Sequence, residues 1–211
     1  MAEIQYTFCS EGPSDRVLQH HINWALERLT ALPYSGEWAD PAIFHSRERD
    51  VASRAAQAVS YYPCNLLFVH RDADNEGFDR RREEIRGALR VAGIAVASVS
   101  VVPVRMTESW LLCSEQAIRY AAGRPAGDAD IDLPAARALE GLADPKTRFE
   151  QLLCLASEHR GRKLEQFRRE LPSLKYRVAE LVDDFSPLLE VAAFRQFYDE
   201  LEVALDVAGL R

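Results

Sequence analysis

Short apolar runs alternate with amphipathic stretches along the first half of the chain. Residues 3–10 (EIQYTFCS) combine β-branched and aromatic positions and stop at Glu11-Gly12-Pro13-Ser14, which predicts a strand followed by a turn. From Ser14, a capping residue type, Val17, Ile22, Ala25, Leu26 and Leu29 recur near helical spacing and predict a helix to about Leu32. Residues 33–40 read as a loop, 41–45 (PAIFH) as a short strand, and 47–61 as a helix with Val51, Ala55, Ala58 and Val59 near one face. Residues 65–70 (NLLFVH) are continuously apolar and then close on charge, as a strand of a parallel sheet buried on both faces does. A loop over 71–77, a charged amphipathic helix over 78–92, a strand run over 94–104 (IAVASVSVVPV) and a helix over 108–122 complete this half. Pro103 places the end of that last strand near a sheet margin.

The order β-α-β-α-β-α-β-α predicts an α/β class fold: an open, mainly parallel, Rossmann-like sheet with right-handed crossovers. Residues 123–133 (GRPAGDADIDL) read as a linker, and residues 134–209 read as helical only. Breaks are expected at Asp144-Pro145, Gly161, Pro172 and Ser186-Pro187. The expected organisation is an α/β domain over 1–122 and an all-helical C-terminal extension over 134–211, packed on or beside it.

Composition changes this picture little. The chain has 211 residues, 47% hydrophobic and 28% charged, enough for a core without staples. Cys9, Cys64, Cys113 and Cys154 lie far apart, with neither zinc-site nor disulfide-framework spacing, and read as reduced thiols. No run of about 18 apolar residues and no signal-peptide pattern occurs, so the expected location is cytoplasmic, away from the membrane. The net charge of −7 means that binding to nucleic acid would need a local basic face or metal ions.

The candidate chemistry lies at the strand ends, where open α/β sheets collect ligands. Strand one ends in Glu11, with Asp15 one turn further on. The strand over 65–70 ends in His70-Arg71-Asp72-Ala73-Asp74, and Glu108 follows the fourth strand. Asp72 and Asp74 point to one side if the chain stays extended there. Bunched carboxylates repel, and a hard divalent cation removes that penalty; Mg²⁺ (or Mn²⁺) takes oxygen ligands and keeps several waters. Such a site can polarise a phosphodiester and activate a water. Gly77 allows a tight turn into the next helix.

At these residues the chain resembles the Toprim domain of topoisomerases, primases and related nucleases. Glu11-Gly12-Pro13-Ser14-Asp15 matches its Glu-Gly-x-x-Asp turn, and Asp72-Ala73-Asp74-Asn75-Glu76-Gly77 matches its Asp-x-Asp-x-x-Gly motif. The resemblance covers roughly residues 3–110. It implies Mg²⁺ on Asp72 and Asp74, and acid–base or metal chemistry at Glu11. More loosely, residues 102–112 (VPVRMTESWLL), Asp144-Pro145-Lys146 and Phe194-Arg195-Gln196-Phe197 resemble a stand-alone bacterial Toprim-like family, similar to the nuclease half of overcoming-lysogenization-defect nucleases. That likeness implies a second metal on Asp15 and Glu108, a transition-state role for Lys146, an AAA- or ABC-type ATPase partner, a defence-like setting and a homodimer.

Plainer readings stand beside these. Asp-x-Asp is common in turns, Ser14 and Asp15 suit a helix start, and Glu108 suits a helix's first turn. Arg71 can pair with an acid and displace metal. His70 can donate to a phosphate. Arg80-Arg81-Arg82 with Glu83-Glu84 reads as a solvated helix face. Arg160, Arg162 and Lys163, in a basic stretch over 159–177, are candidate contacts to a nucleic-acid backbone, or equally a soluble helical face. The expected function is a Mg²⁺-dependent nuclease. The alternatives are a non-catalytic binding or regulatory subunit of an ATPase and a phosphatase with an Asp nucleophile; the stripe Phe194, Phe197, Leu201 and Leu205 of the helix over 194–209 could dock on such a partner, but more readily caps the chain's own core.

Overall fold

The computed structural model describes residues 2–44 and 50–211. Two compact units emerge. One comprises Met1–Val104 with Ala193–Arg211, the other Arg105–Ala192. The last helix therefore groups with the sheet rather than with the helices that precede it in sequence. Residues 123–133, expected to separate two domains, fall inside the second unit.

The first unit is an open α/β fold on a four-stranded, all-parallel sheet. Its strands are β1 (Ile4–Cys9), β2 (Tyr34–Ala39), β3 (Leu66–His70) and β4 (Ala97–Val101), in the spatial order β2-β1-β3-β4. Helices α1 (Gln19–Leu29), α2 (Val51–Tyr61) and α3 (Phe78–Val91) form the crossovers. Alternation along the strands supplies two apolar faces. Leu67 and Val69 pack with Val51 and Ala55 of α2 and with Ile85 and Leu89 of α3. On the opposite face, Phe68 lies 6.4 Å from Phe197 of the last helix, Ala192–Ala208, and Phe194 lies 6.0 Å from Trp24 of α1. Phe194, Phe197, Leu201 and Leu205 are all buried at 2% exposure or less, so this stripe closes the chain's own core, the favoured of its two expected uses, rather than standing open to a partner. Glu200 of the same helix accepts from the Ser100 amide of β4 and from Arg82. Each fully buried large apolar side chain here contributes about 1.5–3 kcal/mol.

The second strand lies earlier than the pattern suggested. Residues 34–39 (YSGEWA) form it, whereas Pro41–Ile43 is a single tight turn. His45 and Arg47, where a strand was expected to end and a helix to begin, lie outside the described residues. The strand escaped the pattern because it is an edge strand, with Ser35, Gly36 and Glu37 exposed along its middle. Gly36 pairs with Tyr6, whose ring fills the space a Cβ would occupy. Tyr6 in turn donates to Asn23 Oδ1 at 2.6 Å, and burial pushes its phenol up to about 12, keeping it a neutral donor.

The second unit is helical: α4 (Glu115–Ala121), α5 (Pro145–Ser157), α6 (Gly161–Arg168) and α7 (Leu171–Glu180) surround Trp110, Phe149, Leu152 and Leu188. The expected breaks at Asp144-Pro145, Gly161, Pro172 and Ser186-Pro187 coincide with element starts. The expected helix over 108–122 divides into a tight turn, Thr107–Leu111, and α4, because Ser114 accepts from the Ala117 amide and starts a new helix. Among the described residues, no helix is long and apolar enough to cross a membrane.

Gly36→Ala should force the Tyr6 ring out of its seat and cost about 1–3 kcal/mol, the usual penalty of overpacking. Urea denaturation checks this; an unchanged midpoint would show that the ring yields freely.

Candidate acidic site at the strand ends

The crossover from β1 to β2 runs to one side of β1, and the chain then returns to place β3 on the other side. The carboxyl ends of β1 and β3 therefore flank the point where the winding direction reverses, the usual position of a ligand crevice in such sheets. Glu11 and Asp72 occupy those two ends and meet: the Asp72 amide donates to Glu11 Oε2 at 3.3 Å.

His70 joins the same two segments from beneath. Its Nδ1 accepts from the Glu11 amide at 3.4 Å, and its Nε2 lies 3.3 Å from Asp72 Oδ1. The tautomer carrying its proton on Nε2 satisfies both contacts. Asp15 Oδ2 stands 3.7 Å from Nδ1 and accepts from the Gly12 amide at 2.9 Å. Asp15, rather than Ser14, thus caps the turn Pro13–Leu18 that leads into α1. The His70 side chain is fully buried, so its contacts fall on protein carboxylates rather than on a phosphate in solvent.

Beyond Asp72 the chain does not stay extended. The Ala73 amide donates to Pro103 O at 3.0 Å, prolonging the pairing of β3 with the β4 side, and Asp74 then turns with φ 47°. Asp72 faces His70, whereas Asp74 faces Arg81 at 3.4 Å and is half exposed. Gly77, at φ 87°, starts α3 in the backbone region that glycine favours.

Three arginines brace the site, one through backbone carbonyls and two through carboxylates. Arg54 of α2 donates to the carbonyls of Ser10 and Glu11, at 2.8 and 2.5 Å. Arg71 places Nε 3.1 Å from Glu11 Oε2 and Nη1 2.9 Å from Glu84 Oε1. Arg81 donates to Asp72 O at 3.1 Å and to Glu84 Oε2 at 2.7 Å, and the bond to Glu84 is the leading reason its guanidinium is held above its ordinary pKa. Sequence reasoning missed Arg54 and Glu84 and took the Arg80–Glu84 stretch as a solvated face. Arg80, paired with Glu76, fits that reading. Arg81 reaches back to the acidic loop, and Arg82 lies over the Phe78 ring and bonds Glu200.

Glu11, Asp15, Asp72, Asp74 and Glu84 gather here with Arg54, Arg71 and Arg81, so acidic side chains outnumber the arginines by two. Among the described residues, no group of three or more His, Cys, Asp or Glu side chains stands arranged to hold a metal ion. Mg²⁺ does not require such a cage, since one or two carboxylates and several waters suffice. The hard oxygens of Glu11 and Asp72, the net excess of negative charge, and a Glu11 Oε1 without a partner among the described residues fit that mode of binding.

The remaining candidates belong to the second unit. Glu108 is buried and paired with Lys175 at 3.1 Å. Lys146 is exposed beside the α5 cap, where Asp144 accepts from the Thr147 amide. Arg160, Arg162 and Lys163 are exposed at the start of α6. Arg160 also lines an open cleft of about 1210 Å³, together with Arg124, Arg168 and His159. Within the rest of the basic stretch, Lys175 pairs with Glu108, Arg168 with Glu165 and Arg177 with Glu180. The four cysteines are free thiols, and burial pushes Cys9 up to about 11 and Cys113 to about 12, which leaves both unreactive near neutral pH.

Comparison of the chain with protein-family models, with curated proteins and with solved structures gives no match.

His70→Ala should leave the Glu11 amide without its acceptor and remove the Nε2 contact to Asp72, lowering stability by about 1–3 kcal/mol. Chemical denaturation reads this directly. A loss below the resolution of that measurement would show that His70 does not tie the two strand ends together.

Proposed function

We propose that this protein is a Mg²⁺-dependent hydrolase of phosphodiesters in nucleic acid, with a Toprim-like acidic site at the ends of β1 and β3. The observation that carries this reading is the meeting of the two acidic motifs at the winding reversal, through the Asp72 amide and Glu11 Oε2 at 3.3 Å. Motifs 61 residues apart in sequence thereby become one site.

Glu11 and Asp72 would hold the cation, with Asp74 joining when it leaves Arg81. The cation would supply the charge that polarises a scissile phosphodiester. Glu11 Oε1 takes the proton of the water that attacks phosphorus as the bond to the leaving sugar oxygen breaks. His70 orients Asp72, and Arg54 fixes the backbone that carries Glu11. The exposed Arg160, Arg162 and Lys163 would add backbone contacts to the nucleic acid.

A second reading has its own support. Arg71 and Arg81 already engage Glu11 and Asp74, as they would in a site that binds nucleotide or nucleic acid without turnover, within a complex with an ATPase.

Calorimetric titration with Mg²⁺ and Mn²⁺ separates these readings when paired with a nuclease assay on single- and double-stranded DNA and RNA. Wild type should bind the cation, and the folded Asp72→Asn, Asp74→Asn double variant should lose that binding. Glu11→Gln should lower cleavage by at least about a hundredfold, the usual contribution of a positioned general base. Mg²⁺-dependent cleavage retained in both variants would defeat the nuclease proposal. Cation binding without cleavage of any of these substrates would favour the regulatory reading.

A further inference from the structure

We propose that Arg71 and Arg81 form an anion subsite that takes a phosphate group of the substrate. The identity of that phosphate as part of a phosphodiester rests on the function proposed above. Both guanidiniums are largely buried, with side-chain exposures of 17% and 15%, so their positions are fixed before any ligand arrives. Glu84 sets their spacing by giving one oxygen to each, at 2.9 and 2.7 Å. A planar guanidinium presents its N–H groups in a fork that matches two oxygens of a phosphate, and two such forks anchored on one carboxylate make a preorganised receptor.

The donor inventory of Arg71 is incomplete in a telling way. Its Nε is buried and makes no directed hydrogen bond, although Glu11 Oε2 lies only 3.1 Å away. The attraction is therefore ionic, with the N–H misaimed. Its Nη2 has no partner among the described residues. An unsatisfied buried donor is costly and rare in a finished structure. A phosphate oxygen beside Arg71 would supply the missing acceptor and release Glu11 from its ion pair. Arg81 has a matching weak point: its Nη2 contact to the half-exposed Asp74 is long, at 3.4 Å. Phosphate at the arginines thus frees Glu11 and Asp74, the carboxylates wanted by a cation. Anion and cation should each favour the other's binding, as linkage requires.

The test uses the full chain and two probes, inorganic phosphate and Mg²⁺, each titrated alone and then with the other present. Wild type should bind phosphate in the millimolar range in the presence of a chelator, and more tightly once Mg²⁺ is added. The Arg71→Met, Arg81→Met double variant should lose at least about tenfold in phosphate affinity, as expected when charge-assisted contacts are removed. Arg71→Met alone should bind Mg²⁺ several-fold more tightly, because Glu11 is released and a like charge is gone. Mere disruption of the fold would weaken both probes. Should the Met variants fail to fold, Arg71→Lys and Arg81→Lys keep the charge but lose the fork, and should still weaken phosphate while sparing Mg²⁺. Phosphate affinity unchanged in the folded variants, or no phosphate binding by wild type with or without Mg²⁺, would overturn the subsite. Arginine-dependent phosphate binding without any Mg²⁺ binding would instead overturn the metal reading and leave the subsite standing.

Discussion

Because β1 and β3 pair in parallel, from Tyr6 opposite Leu66 to Cys9 opposite Val69, both leave the sheet on the same side. The residues just beyond them must then share a small volume. That volume receives Glu11 from one strand and Asp72 from the other, with His70 beneath them. Five carboxylates and three guanidiniums crowd around the junction, held by the ion pairs of Arg71 and Arg81 with Glu11, Asp74 and Glu84 and by backbone hydrogen bonds from Arg54 and to Asp15. Removing one partner of such a pair is far more damaging than removing both, so the cluster behaves as a unit.

The balance is incomplete, and the places where it falls short are informative. Arg71 and Glu11 are close but misaligned, Arg81 and Asp74 are at the long end of contact, and Glu11 Oε1 has no partner among the described residues. The contacts that set the scaffold are the tighter ones: Arg54 on two carbonyls, Glu84 on two guanidiniums, and Asp15 on the Gly12 amide. Firm bonds thus position the groups, and loose ones join those that a ligand would separate. This division is what binding without large rearrangement requires.

Much of this was legible in the sequence, and the exceptions have physical causes. The run over 65–70, closing on Asp72 and Asp74, announced a buried parallel strand with acid at its end, because continuous apolar sequence has few other uses at that length. The second strand was not legible, because its fit depends on Tyr6 filling the space above Gly36 from a neighbouring strand. Local pattern carries no trace of such a tertiary contact. Arg54 and Glu84 were hidden for a related reason: each lies on a helix whose apolar face set the reading, and polar residues at its border look like surface. Asp72 and Asp74 were to share a side only if the chain stayed extended, and at φ 47° Asp74 does not, its carboxylate lying beside Arg81 instead. Glu108 shows the limit of reading acids by position alone, since its carboxylate is engaged by Lys175, 67 residues further along the chain.

The return of the last helix to the sheet has a consequence for biosynthesis. The first 104 residues contain every described strand, yet the sheet face that carries Phe68 has only α1 over it until residues 193–211 have been made. While the ribosome adds the intervening helical unit, Phe68 and its neighbours on that face have no Phe194 or Phe197 to meet. Completion of the sheet unit is thus deferred until residues 193–211 emerge, after the whole helical unit. Nascent chains halted within the helical unit would carry an uncovered aromatic surface, the kind of surface that chaperones hold and that aggregates when they do not.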